Sequence, residues 1–320
     1  MSCYHSFNQY LKQQFGNLKV YKIPLDAGFS CPNRDGKLGA TGCIYCNNQS
    51  FSPNTRPATR LSIAEQIKQG IAFYEQRYQA ERFIAYFQAY TNTYKPVEQL
   101  KVLYDEALQF PEIIGLAIGT RPDCVSDEIL DLIASYTRKP CDSPLGRYLV
   151  WLEYGLQSVH NKTLQLIKRG HDYEAFVSAV QRTRQRSIPV CAHIILGLPG
   201  ENRDDMLKTA QDVARLNLDG IKIHHLYICQ QTYLEELYQQ GKIKVLTLEE
   251  YIPLVCDILE VLPPQMVIQR VMGELTGPDI IAPQWNKPKG QILNLIEHEL
   301  ERRGSKQGSK YERDLSDFRR

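Results

Sequence analysis

Apolar residues along this chain fall into short runs that alternate with longer segments of helical periodicity. Runs rich in β-branched and aromatic residues stand at 19–25, 83–89, 114–120, 148–155, 188–196 and 220–228, the composition expected of strands. From the second run onward they start at 83, 114, 148, 188 and 220, so the spacings are 31, 34, 40 and 32 residues. That is the pace of a repeated βα unit, and such repeats build parallel sheets. Six units predict an α/β fold, an open six-stranded (β/α)6 partial TIM-type barrel with a C-terminal α-helical extension. An evenly wound open α/β sheet would show the same spacing.

The intervening helices carry their own signals. Ser62 and Glu65 form a capping box ahead of IAEQIKQGIAFYEQ. Pro96 opens VEQLKVLYDEAL, and Gly170 is placed to close NKTLQLIKR. Beyond residue 240 the character changes. Thr247 and Glu250 cap a helix that runs to about Leu262, Pro263-Pro264 stops it, and QMVIQRVM reads as one more candidate strand. Residues 288–303 predict a last helix. The expected organisation is a 1–18 N-terminal extension, a 19–240 barrel, a 241–303 extension packed on it and a 304–320 charged tail. From Arg302 the tail has seven basic and three acidic residues and little to bury, so mobility is expected.

Strand alternation assigns faces. With His193 pointing into the barrel, Cys191 and Ile195 share its side, while Val190, Ala192, Ile194 and Leu196 face the helices. Glu153 alternates inward in the same way, and a carboxylate there is costly unless used or paired. His224 and His225 should point to opposite sides, so only one is expected to face a site. The formal charge is +2, from 38 Lys+Arg against 36 Asp+Glu. That excludes a polyanion-coating protein and leaves only local basic patches for nucleic acid. Such patches are Arg56 and Arg60, which flank the cysteine-bearing loop, RTRQR at 182–186, and the tail. No apolar run reaches membrane-spanning length, and the N-terminus lacks a signal-peptide pattern, so a cytoplasmic, non-membrane protein is expected.

Nine cysteines are unusual for such a chain. Six are scattered singly, and a disulfide framework does not suit a reducing compartment. Cys124, Cys141, Cys191, Cys229 and Cys256 are expected to be small buried residues. Cys31, Cys43 and Cys46 fall within sixteen residues, directly after the first strand, where barrel enzymes build their sites. Gly36, Gly39 and Gly42 let the loop fold back on itself. Three thiolates on an iron–sulfur cluster leave one iron open for chemistry, whereas a C-x2-C pair is equally a zinc half-site. The cysteines alone leave both readings open.

Further motifs follow at the strand ends: AIGTRPDC (117–124), LEYGLQSVHNKTLQLIKRGHD (152–172), HIILGLPGE (193–201) and KIHHLY (222–227). Together with C-x11-C-x2-C they resemble the radical S-adenosylmethionine (radical SAM) superfamily over most of residues 19–300. The branch resembled is that of the elongator catalytic subunit and its short bacterial YhcC- and YtqA-like relatives. The resemblance implies a 4Fe-4S cluster on Cys31, Cys43 and Cys46, with Tyr45 beside the last. It implies S-adenosylmethionine on the open iron, and reductive cleavage to a 5′-deoxyadenosyl radical. Candidate cofactor contacts carry over to Ala89, Tyr90 and Thr91, in place of the family's usual Gly-Gly-Glu, and to Glu153, Gln157, Arg169 and His193. No residue is singled out as a catalytic acid or base.

The same resemblance suggests tRNA as substrate, with the C5 side chain of a wobble uridine as target, and a one-electron donor such as a flavodoxin or ferredoxin. No segment matches elongator's acetyltransferase domain, so a reaction on a side chain already attached is expected. A small metabolite or peptide substrate is the alternative, and a zinc-stabilised binding module the third. Trp285 in APQWNKPK is either a packing residue or a surface for a base.

Overall fold

The structure is a computed structural model that describes residues 2–47, 60–274 and 277–312. Among them nine strands form: β1 (Val20–Leu25), β2 (Arg82–Phe87), β3 (Ile113–Thr120), β4 (Leu149–Gln157), β5 (Val190–Leu196), β6 (Gly220–His225), β7 (Ile228–Cys229), β8 (Val267–Arg270) and β9 (Ile280–Ala282). Strands β1 to β6 and β8 lie side by side in that order, every neighbouring pair parallel. The sheet curls into a partial barrel. Its edges β1 and β8 do not pair, which leaves an open seam. The expected barrel is therefore present with seven strands in place of six, and QMVIQRVM supplies the seventh. Strands β7 and β9 make a small antiparallel pair.

The helices are α1 (Phe7–Phe15), α2 (Ile63–Tyr78), α3 (Val97–Ala107), α4 (Asp127–Arg138), α5 (Asn161–Leu166), α6 (Tyr173–Arg184), α7 (Arg203–Arg215), α8 (Tyr233–Gln239), α9 (Leu248–Val261) and α10 (Lys289–Arg302). None is long and apolar enough to cross a membrane. The capping boxes at Ser62 and Thr247 form as expected. Helix α5 ends at Leu166, short of Gly170, because Lys168 takes a left-handed conformation at φ 53°. Gly170 lies past the helix end at φ 77°, where a Cβ would come within 2.5 Å of the Asn33 side chain.

Two apolar layers sandwich the sheet. Val190, Ala192, Ile194 and Leu196 join the outer core under the helices, whereas Cys191 lies inside with Ile84, Leu149, Trp151 and Val267. Helix α1 closes the interior from below, with Leu11 and Phe15 buried against that inner layer. The Tyr10 ring meets Trp151 edge-on at 5.6 Å. The chain ahead of α1 is tied to β8, since Ile268 N donates to His5 O at 2.8 Å.

The expected mobile tail is docked as far as it is described. Gln307 is buried, accepts from His5 N and donates to Pro263 O and Met266 O. Gly308 N and Lys310 N donate to the end of α9 at Leu259 O and Glu260 O. One glutamine that satisfies three backbone groups replaces the apolar anchor the sequence lacks. If α1 is a structural plug, Phe15→Ala should cost about 3–5 kcal/mol of stability. Guanidinium unfolding would measure it, and a loss below about 1 kcal/mol would show that α1 merely covers the barrel.

Candidate functional site

A cavity of about 520 Å³ opens at the C-terminal ends of the strands. Its floor is a charged layer inside the barrel. Glu153 on β4 is fully buried. Its Oε1 accepts from Lys22 Nζ of β1 at 2.6 Å, and its Oε2 accepts from Lys222 of β6 and from His193 Nε2 of β5 at 2.9 Å. Lys222 also donates to Tyr86 OH at 3.0 Å, and Lys22 crosses the seam to Gln269 Oε1 on β8 at 2.7 Å. Burial alone would raise the Glu153 pKa, but Lys22, Lys222 and His193 outweigh it and hold the carboxyl well below its usual range. Burial and Lys222 hold the His193 imidazole down at about 4, and burial brings the Lys22 ammonium down to about 8. At neutral pH His193 is thus uncharged. It donates Nε2–H to Glu153 and keeps Nδ1 as an acceptor.

The cysteine loop forms the opposite wall. Leu38 N and Gly39 N return to Pro32 O, and Gly42 N returns to Asn33 O at 2.7 Å, with Gly36 and Gly42 at positive φ. Asn33 Nδ2 lies 3.4 Å from Cys43 Sγ and also donates to Lys168 O and Arg169 O. The Arg169 guanidinium is buried. It donates to Gly155 O and points a further N–H at Cys43 Sγ, 3.8 Å away. Arg121, itself gripped by Asp123, donates to Arg169 O at 2.7 Å. Burial and Cys43 push the Cys46 thiol up to about 11 against the pull of Arg34. The thiolate form a metal needs therefore has to be drawn out by the metal's own charge.

Cys31, Cys43, Tyr45, Cys46, Tyr90, Thr91, Glu153, Gln157, Arg169 and His193 all line this one cavity. Ala89 is buried beside it and does not line it. Gln157 stands at a register shift of β4 with φ 78°, a conformation sparse for a side chain with a Cβ and common at functional sites. The Thr91 hydroxyl is buried on the wall with no hydrogen-bond partner, as suits a site meant for a polar ligand. Among the described residues no three His, Cys, Asp or Glu side chains are gathered closely enough to hold one metal ion. Thiols spread over one wall suit a cluster, where each binds a different iron.

Some expectations need correction. His224 and His225 both line the cavity, because β6 ends at His225 and strict alternation ends with it. Trp285, by contrast, takes the packing role the sequence allowed: its ring lies 4.1 Å from His225 and its Nε1 donates to Leu246 O. Cys124 and Cys141 are only half-buried, while Cys191, Cys229 and Cys256 are buried. In the 182–186 run, Arg182 and Arg186 pair with Asp127 and Asp131, and Arg184 donates to Leu216 O, so the run is no open phosphate site. Arg60 lays its guanidinium over Gly28, beyond β1. Arg56 lies outside the described residues.

Residues 32–213 match the Radical SAM superfamily model, and residues 218–302 match that of the Radical_SAM C-terminal domain. The chain belongs to the radical SAM superfamily and is a radical SAM enzyme, and the family works with a 4Fe-4S cluster and S-adenosylmethionine. It is similar to YtqA of Bacillus subtilis, with 40% identity across 97% of this chain and 93% of that protein. It is distantly similar to a tRNA uridine(34) acetyltransferase of Methanocaldococcus infernus, 25% identical over 60% of this chain and 34% of the relative. An archaeal Elp3 structure from the same organism shares the fold, with a TM-score of 0.67, 18% identity, and coverage of 91% of this chain and 64% of the other.

Glu153→Gln would strand Lys22 and Lys222 without a counter-charge and should cost about 3–5 kcal/mol by chemical denaturation at pH 7. Lys22→Met should cost far less, because Lys222 still neutralises Glu153. Acid acts on His193 separately. Its usual value is 6.5 and its folded value about 4, so the unfolded chain gains a proton first and stability falls between those two pH values. His193→Gln should remove about 1.4 kcal/mol per pH unit from that slope, and an unaltered slope would count against a His193 held uncharged by burial and Lys222.

Proposed function

We propose that Cys31, Cys43 and Cys46 hold a 4Fe-4S cluster, that S-adenosylmethionine lies against them in the same cavity, and that the substrate is a tRNA wobble uridine bearing a C5 side chain. The observation that carries the cofactor reading is the convergence of three thiols, Arg169, Gln157 and the unpartnered Thr91 hydroxyl on one cavity. Bound there, the cluster and S-adenosylmethionine supply a 5′-deoxyadenosyl radical for hydrogen abstraction. The chain's own groups orient and shield. Arg169, fixed on Gly155 O, faces the Cys43 sulfur with positive charge. Gln157 and Thr91 offer hydrogen bonds to the cofactor's polar ends, and Tyr45 and Tyr90 supply walls. Ala89 contributes by backbone alone. Neutral His193, oriented by Glu153, presents an acceptor suited to a hydroxyl.

The tRNA reading is supported by the distant tRNA uridine(34) relative. A base in a single-stranded loop enters a cavity without breaking a pair. Two measurements test these parts in turn. Anaerobic reconstitution should give a protein with iron and sulfide that forms 5′-deoxyadenosine from S-adenosylmethionine and dithionite. Cys43→Ala should lose that activity by about a hundredfold or more; a colourless zinc protein would defeat the proposal. Nucleoside mass spectrometry of a deletion strain should show one altered wobble uridine, and unchanged tRNA would redirect the search to small substrates.

A further inference from the structure

The open seam carries a feature the cofactor site does not use. Where α2 overhangs the edge strand β1, three tyrosine rings stack on one another. Tyr21 and Tyr78 have centroids 5.1 Å apart with planes 14° from parallel, Tyr21 and Tyr74 are 5.5 Å apart at 28°, and Tyr74 and Tyr78 are 6.0 Å apart at 29°. Phe73 stands edge-on to Tyr74 at 5.2 Å. The inner member, Tyr74, lines the cavity. The outer members are left to solvent, Phe73 at 54% and Tyr78 at 42% exposure. An aromatic surface therefore starts at the cavity wall and runs out along the seam.

Its charges are mostly positive. The Arg77 guanidinium lies over the Tyr78 ring at 5.9 Å. Across the seam, Arg270 of β8 lines the cavity, and Lys289 at the start of α10 pairs with Glu274 at 2.6 Å. Arg270 approaches Glu274 only to 3.8 Å, so on that side two cations face one carboxylate, while Glu75 is the carboxylate on α2 beside Tyr74. Stacked rings with solvent-exposed members and interspersed guanidinium groups suit successive unpaired bases on a phosphate backbone.

We infer that this seam is a stacking platform for a single-stranded segment of the RNA substrate, with a base on Tyr78 and Phe73 and the backbone passing Arg77 and Arg270 towards the cavity. The inference rests on the tRNA reading above and adds where the strand lies. The test is fluorescence anisotropy of the full chain with a labelled anticodon-loop heptamer and with whole tRNA.

Tyr78→Ala should weaken binding about tenfold, whereas Tyr78→Phe should retain it, since the ring and not the hydroxyl stacks. Arg77→Ala should lower the salt slope of log K by about 0.7. Neither Tyr78, Arg77 nor Phe73 lines the cavity that holds the thiols, so RNA-independent formation of 5′-deoxyadenosine should stay at the wild-type level. Wild-type binding that Tyr78→Ala and Phe73→Ala leave intact would overturn the platform and spare the tRNA reading. Wild type with no affinity for either RNA would overturn both. A dimer that dissociates in Tyr78→Ala, with RNA affinity unchanged, would assign the face to a second copy and overturn the platform.

Discussion

The buried charge group around Glu153 is the constraint on which the rest of the molecule depends. A carboxylate and two ammonium groups share the inside of a barrel that is otherwise apolar below them. Such a group is a poor source of net stability, because desolvation of each ion offsets most of the attraction. Its value is geometric. Glu153 sits on the fourth strand, and its partners come from the first, fifth and sixth. A closed barrel would fix that curvature by backbone pairing, but this sheet has no pairing between its edges. Lys22 replaces it by bonding Glu153 on one side and Gln269 of the last strand on the other. Whatever follows the first strand, the cysteine loop above all, is placed by that link.

From this floor the site is built upward by close approaches that only small residues allow. Gly119 at the end of the third strand lines the cavity, whereas Gly115 leaves no room, since a Cβ there would lie 2.5 Å from Leu149 O, and Ala117 packs in the inner layer. At Gly155 a Cβ would lie 2.7 Å from both the Arg169 guanidinium and the Gln157 amide. The missing side chain is what lets Arg169 reach the Gly155 carbonyl and still face Cys43. Asn33 and Arg121 then hold the Arg169 backbone from two directions. A cationic side chain beside the Cys43 thiol is therefore fixed before any ligand arrives, which spares the ordering cost on binding.

Legibility followed chemistry. The βα pace was readable because strands and helices bury different periodicities, and the inward turn of Glu153 and His193 followed from alternation alone. The three cysteines were readable through spacing and loop glycines. Helix α1 was missed because FNQYLKQQF is short and half polar, although Ser6 and Gln9 form a capping box in the sequence. The partners of Glu153 were missed for another reason. Lys22 and Lys222 lie 131 and 69 residues away, and a lone lysine on a strand reads as a surface residue until its register is known. Gln307 belongs to the same class: a polar residue that anchors by satisfying backbone groups leaves no hydrophobic trace.

Near-neutral charge takes on a more specific meaning once the cations are placed. Lys22 and Lys222 are consumed by Glu153, and Arg182 and Arg186 by Asp127 and Asp131. Little long-range field is left to gather a polyanion. An RNA substrate would then be held by short-range contact, by ring faces and a few guanidinium groups along the seam, with a shallow dependence on salt. Such contacts tolerate any base. Discrimination among nucleotides would fall to the cavity, where neutral His193 and His224 and the charged floor can reject a base that leaves them unpaired. Separating a tolerant entry from a selective interior would let such an enzyme admit a loop of variable sequence and still act at one position.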